Sequence, residues 1–172
     1  MTSFIPQTIR AFVAPKSRIV CKTSLWRAGL SGLARRGNGE RESGAFLLGR
    51  QASIRKRIER FVFYDDLDPN SLNPGYISFS SDGYPALWAI CSETGLHVVA
   101  DVHTHPGKAY QSEADRLHPM IGQTGHVALI IPQFAKRTFA PREIGIFEYM
   151  GANAWTDHSR KDSEFFYVGI WG

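Results

Sequence analysis

The stretch Leu96-His97-Val98-Val99-Ala100-Asp101-Val102-His103-Thr104-His105-Pro106 decides how the chain is read. Its valine-rich first half lacks a clean polar alternation, as expected of a strand covered on both faces, and Pro106 with Gly107 ends it. Side-chain direction in a strand repeats every two residues, so His103 and His105 project to the same side. After five intervening residues Pro106 is followed by Ser112-Glu113-Ala114-Asp115, the pattern of a capped helix start. A loop this short returns Asp115, in the first helical turn, toward the histidines. Two imidazoles and one carboxylate make three ligands for one tetrahedral zinc per chain, with the fourth position left to water, which is a catalytic layout and not a closed structural one. Each half also has a plainer reading, a capping box in one case and hydrogen-bonded strand histidines in the other. Their conjunction after a buried strand points to the metal, and Ser112 can begin the helix and still face the site. Thr104 points away from its neighbours and packs or hydrogen-bonds behind them.

Working outward, the elements interleave without a strict βαβ rhythm. Leu25, Trp26, Gly29, Leu30, Leu33 and Ala34 recur at helical spacing after a cap at Thr23 or Ser24, and the helix runs into the turn Arg35-Arg36-Gly37-Asn38-Gly39. Ser43 to Leu48 reads as a strand closed by Gly49, with Ile58 to Tyr64 as its neighbour across a basic turn. Asp65 to Asp82 is loop by composition, and its part up to Ser81 is a candidate movable flank. A second helix, capped by Ser81 or Asp82, passes through Leu87, Trp88, Ile90 and Cys91 to Gly95. Val127 to Ile131 reads as a second buried strand, and Ile144 to Met150, Ala154 to Asp157 and Phe165 to Ile170 as an antiparallel meander. The expected fold is α/β, a mixed β-sheet flanked by helices in a single domain over 1–172. Trp26, Trp88, Trp155 and Trp171 are read as core or rim packing.

The 172 residues suit one domain with a core that needs no staples. Hydrophobic residues at 43% and charged residues at 21% exclude a disordered chain and a coiled coil. No apolar run approaches the roughly 18 residues of a membrane span. Arg10, Lys16 and Arg18 break up the mildly apolar stretch Met1 to Cys21, so it does not read as a signal peptide. Cys21 and Cys91 form neither a disulfide framework nor a metal-binding pair, so a reducing cytoplasm is the expected location. From Arg35 to Arg60, eight basic residues face three acidic ones, an excess larger than the net charge of +4. Without interleaved aromatics this reads as a solvated hairpin surface rather than a nucleic-acid footprint.

With these residues in place, the chain resembles the JAMM metalloprotease family, also called MPN-plus or JAB domains. Its pattern is an upstream glutamate, then HxHP, several residues, and SxxD. In that family the glutamate stands seven residues before a strand-closing glycine, and Glu42-Ser43-Gly44-Ala45-Phe46-Leu47-Leu48-Gly49 keeps the spacing. Ala45 replaces a frequent glycine, and the gap from His105 to Ser112 is one residue shorter than in eukaryotic members. The resemblance covers roughly 39–148.

It implies an MPN/JAB-like fold, with His103, His105 and Asp115 on zinc, Glu42 as general acid/base and Ser112 helping to hold the oxyanion. Glu40 is the competing base, outside the register set by Gly49. His97 and His126 are read as hydrogen-bonded sheet residues, His118 as a residue behind the ligands, and Glu93 as a solvated helix end. The resemblance further implies hydrolysis of amide or isopeptide bonds at the C-terminus of a ubiquitin-like protein. The chain resembles the stand-alone bacterial members, which are often encoded beside ubiquitin-like, E1-like and E2-like proteins, including in antiphage defence systems, and the resemblance implies such partners here. The alternatives are a nucleic-acid-associated protein like the RadC group, which shares HxHP and SxxD, and a non-catalytic scaffold stabilised by zinc.

Overall fold

The computed structural model describes residues 17–160, 165–170 and 172. Eight strands form one mixed sheet: β1 (Ile19–Lys22), β2 (Gly44–Ala52), β3 (Arg55–Phe63), β4 (His97–Thr104), β5 (Val127–Ile131), β6 (Gly145–Gly151), β7 (Ala154–Asp157) and β8 (Phe166–Gly169). Four helices accompany them: α1 (Thr23–Gly37), α2 (Tyr64–Leu67), α3 (Tyr84–Thr94) and α4 (Glu113–Leu117). Across the sheet the order is β7-β6-β5-β4-β2-β3-β1-β8, so β4 lies near its middle, antiparallel to β2 and parallel to β5.

Alternation along β2 shows why both faces need a helix. Ala45 and Leu47 enter the core under α1, with Trp26, Leu30 and Leu33, while Phe46 and Leu48 enter the core under α3, with Leu87. At 1% exposure Trp26 is fully buried, and its Nε1 donates to Phe139 O at 2.8 Å. Trp88 is half exposed on α3, Trp155 is partly buried, and Trp171 lies outside the described residues. Both cysteines are free, Cys21 in the first core. Among the described residues no helix is long and apolar enough to cross a membrane.

Several sequence expectations are corrected. Gly49 does not close β2, which continues to Ala52. The glycine instead sits where the β2–β3 register shifts, and a β-carbon there would collide with the Arg57 carbonyl, so it marks a bulge and a close backbone approach. α1 has no side-chain cap from Thr23 or Ser24; β1 runs straight into it through the extended Lys22. The meander stops at β7. β8 pairs in parallel with β1 at the opposite edge, where Phe166 meets Trp26 edge-on at 5.1 Å.

The 65–82 segment begins as α2 and is tied down by Asp68, whose carboxylate accepts from Asn70 N at 3.1 Å and Ser80 N at 2.9 Å. Ser71 and Leu72 are buried beneath it, so it is a pinned loop and not a free flank. In the basic stretch, Arg36 binds Asp65 and Asp66 at 2.8 and 3.0 Å, and Arg50 lies 3.4 Å from Glu59.

Candidate metal centre

β4 carries His103 near the middle of the sheet and places His105 just beyond its end, each only 6% exposed. Just past the strand, His105 N donates to Ile131 O and His105 O accepts from Phe134 N, both at 2.9 Å, so the chain is fixed where it leaves the sheet. The clamp uses an unusual turn, since Gln133, Phe134 and Ala135 are consecutive non-glycine residues with φ of 55°, 51° and 54°. Asp115 arrives from α4. Ser112 Oγ accepts from Asp115 N at 3.2 Å and Ser112 N donates to Asp115 Oδ2 at 2.7 Å, a complete capping box.

His103 Nε2 and His105 Nε2 are 3.1 Å apart, and each lies 3.3 Å from an oxygen of the Asp115 carboxylate. A tetrahedral ion with nitrogen and oxygen ligands at about 2.0–2.1 Å holds its ligand atoms about 3.3–3.4 Å apart, so these donors fit a small metal ion. Two facing imidazole nitrogens with a carboxylate on their open side form a donor set that calls for a cation. The electrostatics agree. Burial works against a charged His103, but the Asp101 and Asp115 carboxylates outweigh it and lift its pKa to about 10. Burial alone would raise the Asp115 carboxyl, yet His103, His105 and Ser112 hold it well below the usual carboxylate range.

The remaining sequence candidates surround this centre. Glu42 Oε1 lies 3.9 Å from His105 Nε2, on the segment entering β2. That segment is locked to the histidine strand: Ser43 N donates to Thr104 Oγ1 at 2.9 Å, Thr104 N to Ser43 O at 2.9 Å, and Ser43 Oγ to Leu33 O at 2.9 Å. Thr104 thus hydrogen-bonds behind the histidines as expected. Gly75 O holds Glu42 N at 3.0 Å, which gives the pinned loop a role in placing this carboxylate. Glu40 is exposed in the turn after α1, and Glu93 is exposed near the end of α3. His97 is exposed, and His118 is exposed on the rim of the cleft.

Sequence reasoning missed Asp101. Its carboxylate, 1% exposed, stands behind His103 at 4.0 Å from Nδ1, an ionic rather than hydrogen-bonding distance. It is held by His126 Nε2 at 2.6 Å and by the Tyr64 hydroxyl, which donates at 3.3 Å. A usable signal was present, because Asp101 precedes His103 by two residues and shares its face. A cleft of about 500 Å³ opens onto Glu42, His103, Ser112 and Asp115 and extends to Phe79, Met120 and Trp155.

The family model described as prokaryotic homologs of the JAB domain matches residues 29–144, a span that includes Glu42, His103, His105, Ser112 and Asp115. A probable metalloprotease of Sinorhizobium fredii is 29% identical over 63 residues, which is 37% of this chain and 39% of that protein. The matched stretch is therefore about two fifths of that relative's length. Among solved structures, a protein from Desulfitobacterium hafniense superposes with a TM-score of 0.57 at 17% identity, covering 87% of this chain and 92% of that one. A protein from Salinibacter ruber gives a TM-score of 0.48 at 18% identity, covering 78% and 82%. At such identity the first of these is a likeness of fold.

Proposed function

Because the chain belongs to the prokaryotic homologs of the JAB domain, we propose that it is a zinc-dependent hydrolase of amide or isopeptide bonds at the C-terminus of a ubiquitin-like protein. The observation that carries this reading is the convergence of His103, His105 and Asp115 within 3.3 Å contacts at the mouth of an open cleft that Glu42 also lines. His103, His105 and Asp115 would hold the ion. When bound, zinc supplies a water acidified toward pH 7 and a Lewis acid for the scissile carbonyl.

The chain's own residues supply the rest. Glu42, close to the ligands but outside their contacts, takes a proton from the attacking water and returns it to the leaving amine. Ser112 accepts the Asp115 N–H at its oxygen, which leaves its hydroxyl hydrogen free to donate to a developing oxyanion. The probable metalloprotease among the relatives supports the hydrolase class. The proposed setting is the cytoplasm, with E1-like and E2-like proteins encoded nearby and a role in antiphage defence.

Glu42→Gln tests this reading. A ubiquitin-like protein fused through its C-terminus to a reporter should be cleaved by the wild type. The variant should lose about 10²- to 10⁴-fold in turnover while binding the same amount of zinc. Wild-type zinc content with no cleavage of any such fusion would favour the scaffold, and strong salt-dependent DNA binding would favour the RadC-like alternative.

A further inference from the structure

The cleft beside the histidines has an apolar wall. Tyr76, Ile77, Phe79, Tyr84 and Met120 line it. Its inner part is held in place, with the Tyr84 hydroxyl donating to Met120 O at 2.6 Å and Phe79 meeting Tyr84 edge-on at 5.1 Å. Among the described residues no lysine or arginine lines the cleft, and Glu42, Asp101 and Asp115 are its acidic groups. A ligand carboxylate or phosphate laid against this wall would find no lysine or arginine beside it among the described residues, and the His103 imidazole at the cleft's end is already held by Asp101 and Asp115.

Gln111 adds a second, independent observation. Its Nε2 is shielded from solvent and has no hydrogen-bond partner among the described residues. It lines both this cleft and an adjoining depression of about 400 Å³ near Arg116 and Asp157, with Trp155 common to the two. An amide N–H left without a partner where two hollows meet is a donor waiting for an acceptor.

We infer that the cleft is a side-chain pocket for a large apolar residue, aromatic or branched aliphatic, on the amine side of the scissile bond, with Gln111 donating to a main-chain carbonyl of the same substrate. The side follows from Glu42. The wall at Tyr76 and Ile77 continues directly from Gly75, whose carbonyl holds the Glu42 N–H, and the leaving amine must lie where Glu42 can protonate it. The inference rests on the hydrolase reading. It favours processing of a linear precursor, in which an apolar residue follows the cleaved bond, over release of a lysine side chain.

The test is a panel of ubiquitin-like fusions whose first residue after the scissile bond is Phe, Leu, Gly or Asp, alongside a lysine-linked conjugate. Phe and Leu should exceed Gly, Asp and the lysine conjugate by about 10- to 100-fold in kcat/KM. Tyr76→Ala, at an exposed position that the fold does not need, should shrink that preference. Gln111→Ala should lower kcat/KM alike for every member at unchanged zinc content. Binding of a Phe-initiated peptide to metal-free Glu42→Gln protein, read by anisotropy against the Gly-initiated peptide, needs no turnover. Equal cleavage and equal binding of Phe and Gly substrates, or faster cleavage of the lysine conjugate, would overturn the inference. Tight Phe-peptide binding, weakened by Tyr76→Ala, with no cleavage of any fusion would sink the hydrolase reading and leave the pocket standing.

Discussion

Replacing Asp101 by asparagine keeps the volume of a fully buried side chain while removing its charge and one of its two acceptor oxygens. His126 Nε2 at 2.6 Å and the Tyr64 hydroxyl at 3.3 Å then compete for one carbonyl oxygen, and one of them faces an NH₂ group. A buried donor left unsatisfied costs about 1–3 kcal/mol, and the lost hydrogen bond was charge-assisted, so the expected destabilisation is about 2–3 kcal/mol. For a domain of this size that lowers Tm by about 4–12 °C.

Metal affinity should fall as well, because the carboxylate behind His103 orients the ring and favours positive charge beyond it; such partners contribute about 10- to 100-fold. The pH dependence has a definite sign. Burial alone would raise the Asp101 pKa, but His103 and His126 hold it below the ordinary carboxylate range. A depressed carboxylate contributes stability above its unfolded pKa and loses it as pH falls through the folded one. The difference between wild type and Asp101→Asn should therefore be full at neutral pH and shrink below about pH 4. Chelator competition and thermal unfolding, each on metal-free and loaded protein, measure both effects. A variant that binds metal within threefold of wild type and unfolds at the same temperature would refute this account of the network.

Chelation should leave a cooperatively folding protein, because strand pairing and the capping box hold the ligand side chains without an ion; loss of the unfolding transition by circular dichroism would contradict this. Cys21, fully buried and with its thiol pushed up to about 12 by burial, should resist alkylation in the native protein, while Cys91 labels first; mass spectrometry of partly labelled protein distinguishes them. Gln133→Gly should raise stability by about 1 kcal/mol in chemical denaturation, since glycine relieves a left-handed conformation at an exposed position.

The histidine strand, its facing and the Ser112–Asp115 cap were legible because each is a local pattern of period two or one helical turn. The distant contacts were not. β1 and β8 have four residues each, too few for periodicity to name a partner, and their parallel pairing is settled by packing of Phe166 against Trp26. Gly49 announced a backbone peculiarity, but composition does not separate a strand end from a bulge. The 65–82 segment read as loop from its prolines, glycine and asparagines, and nothing local said that Asp68 would staple it. Asp101 stood in the same two-residue register as the histidines. Its partners, Tyr64 at the close of β3 and His126 before β5, come together only when the sheet forms.

The two halves of the centre rest on supports of unequal stiffness. His103 rides on a strand with neighbours on both sides and His105 is clamped just past its end, whereas α4 has five residues and buries none of them, its attachment being the capping box, the histidine contacts and the Trp155 indole on Arg116 O at 3.1 Å. Amide protons of β4 should exchange with solvent only on global unfolding, while those of α4 exchange through a cheap local opening. An ion bridging the two would fasten the loose half to the rigid one, so α4 is where loading should register. Trypsin cutting after the exposed Arg116 should be fast in metal-free protein and slow in loaded protein, which turns a single peptide bond into a gauge of occupancy.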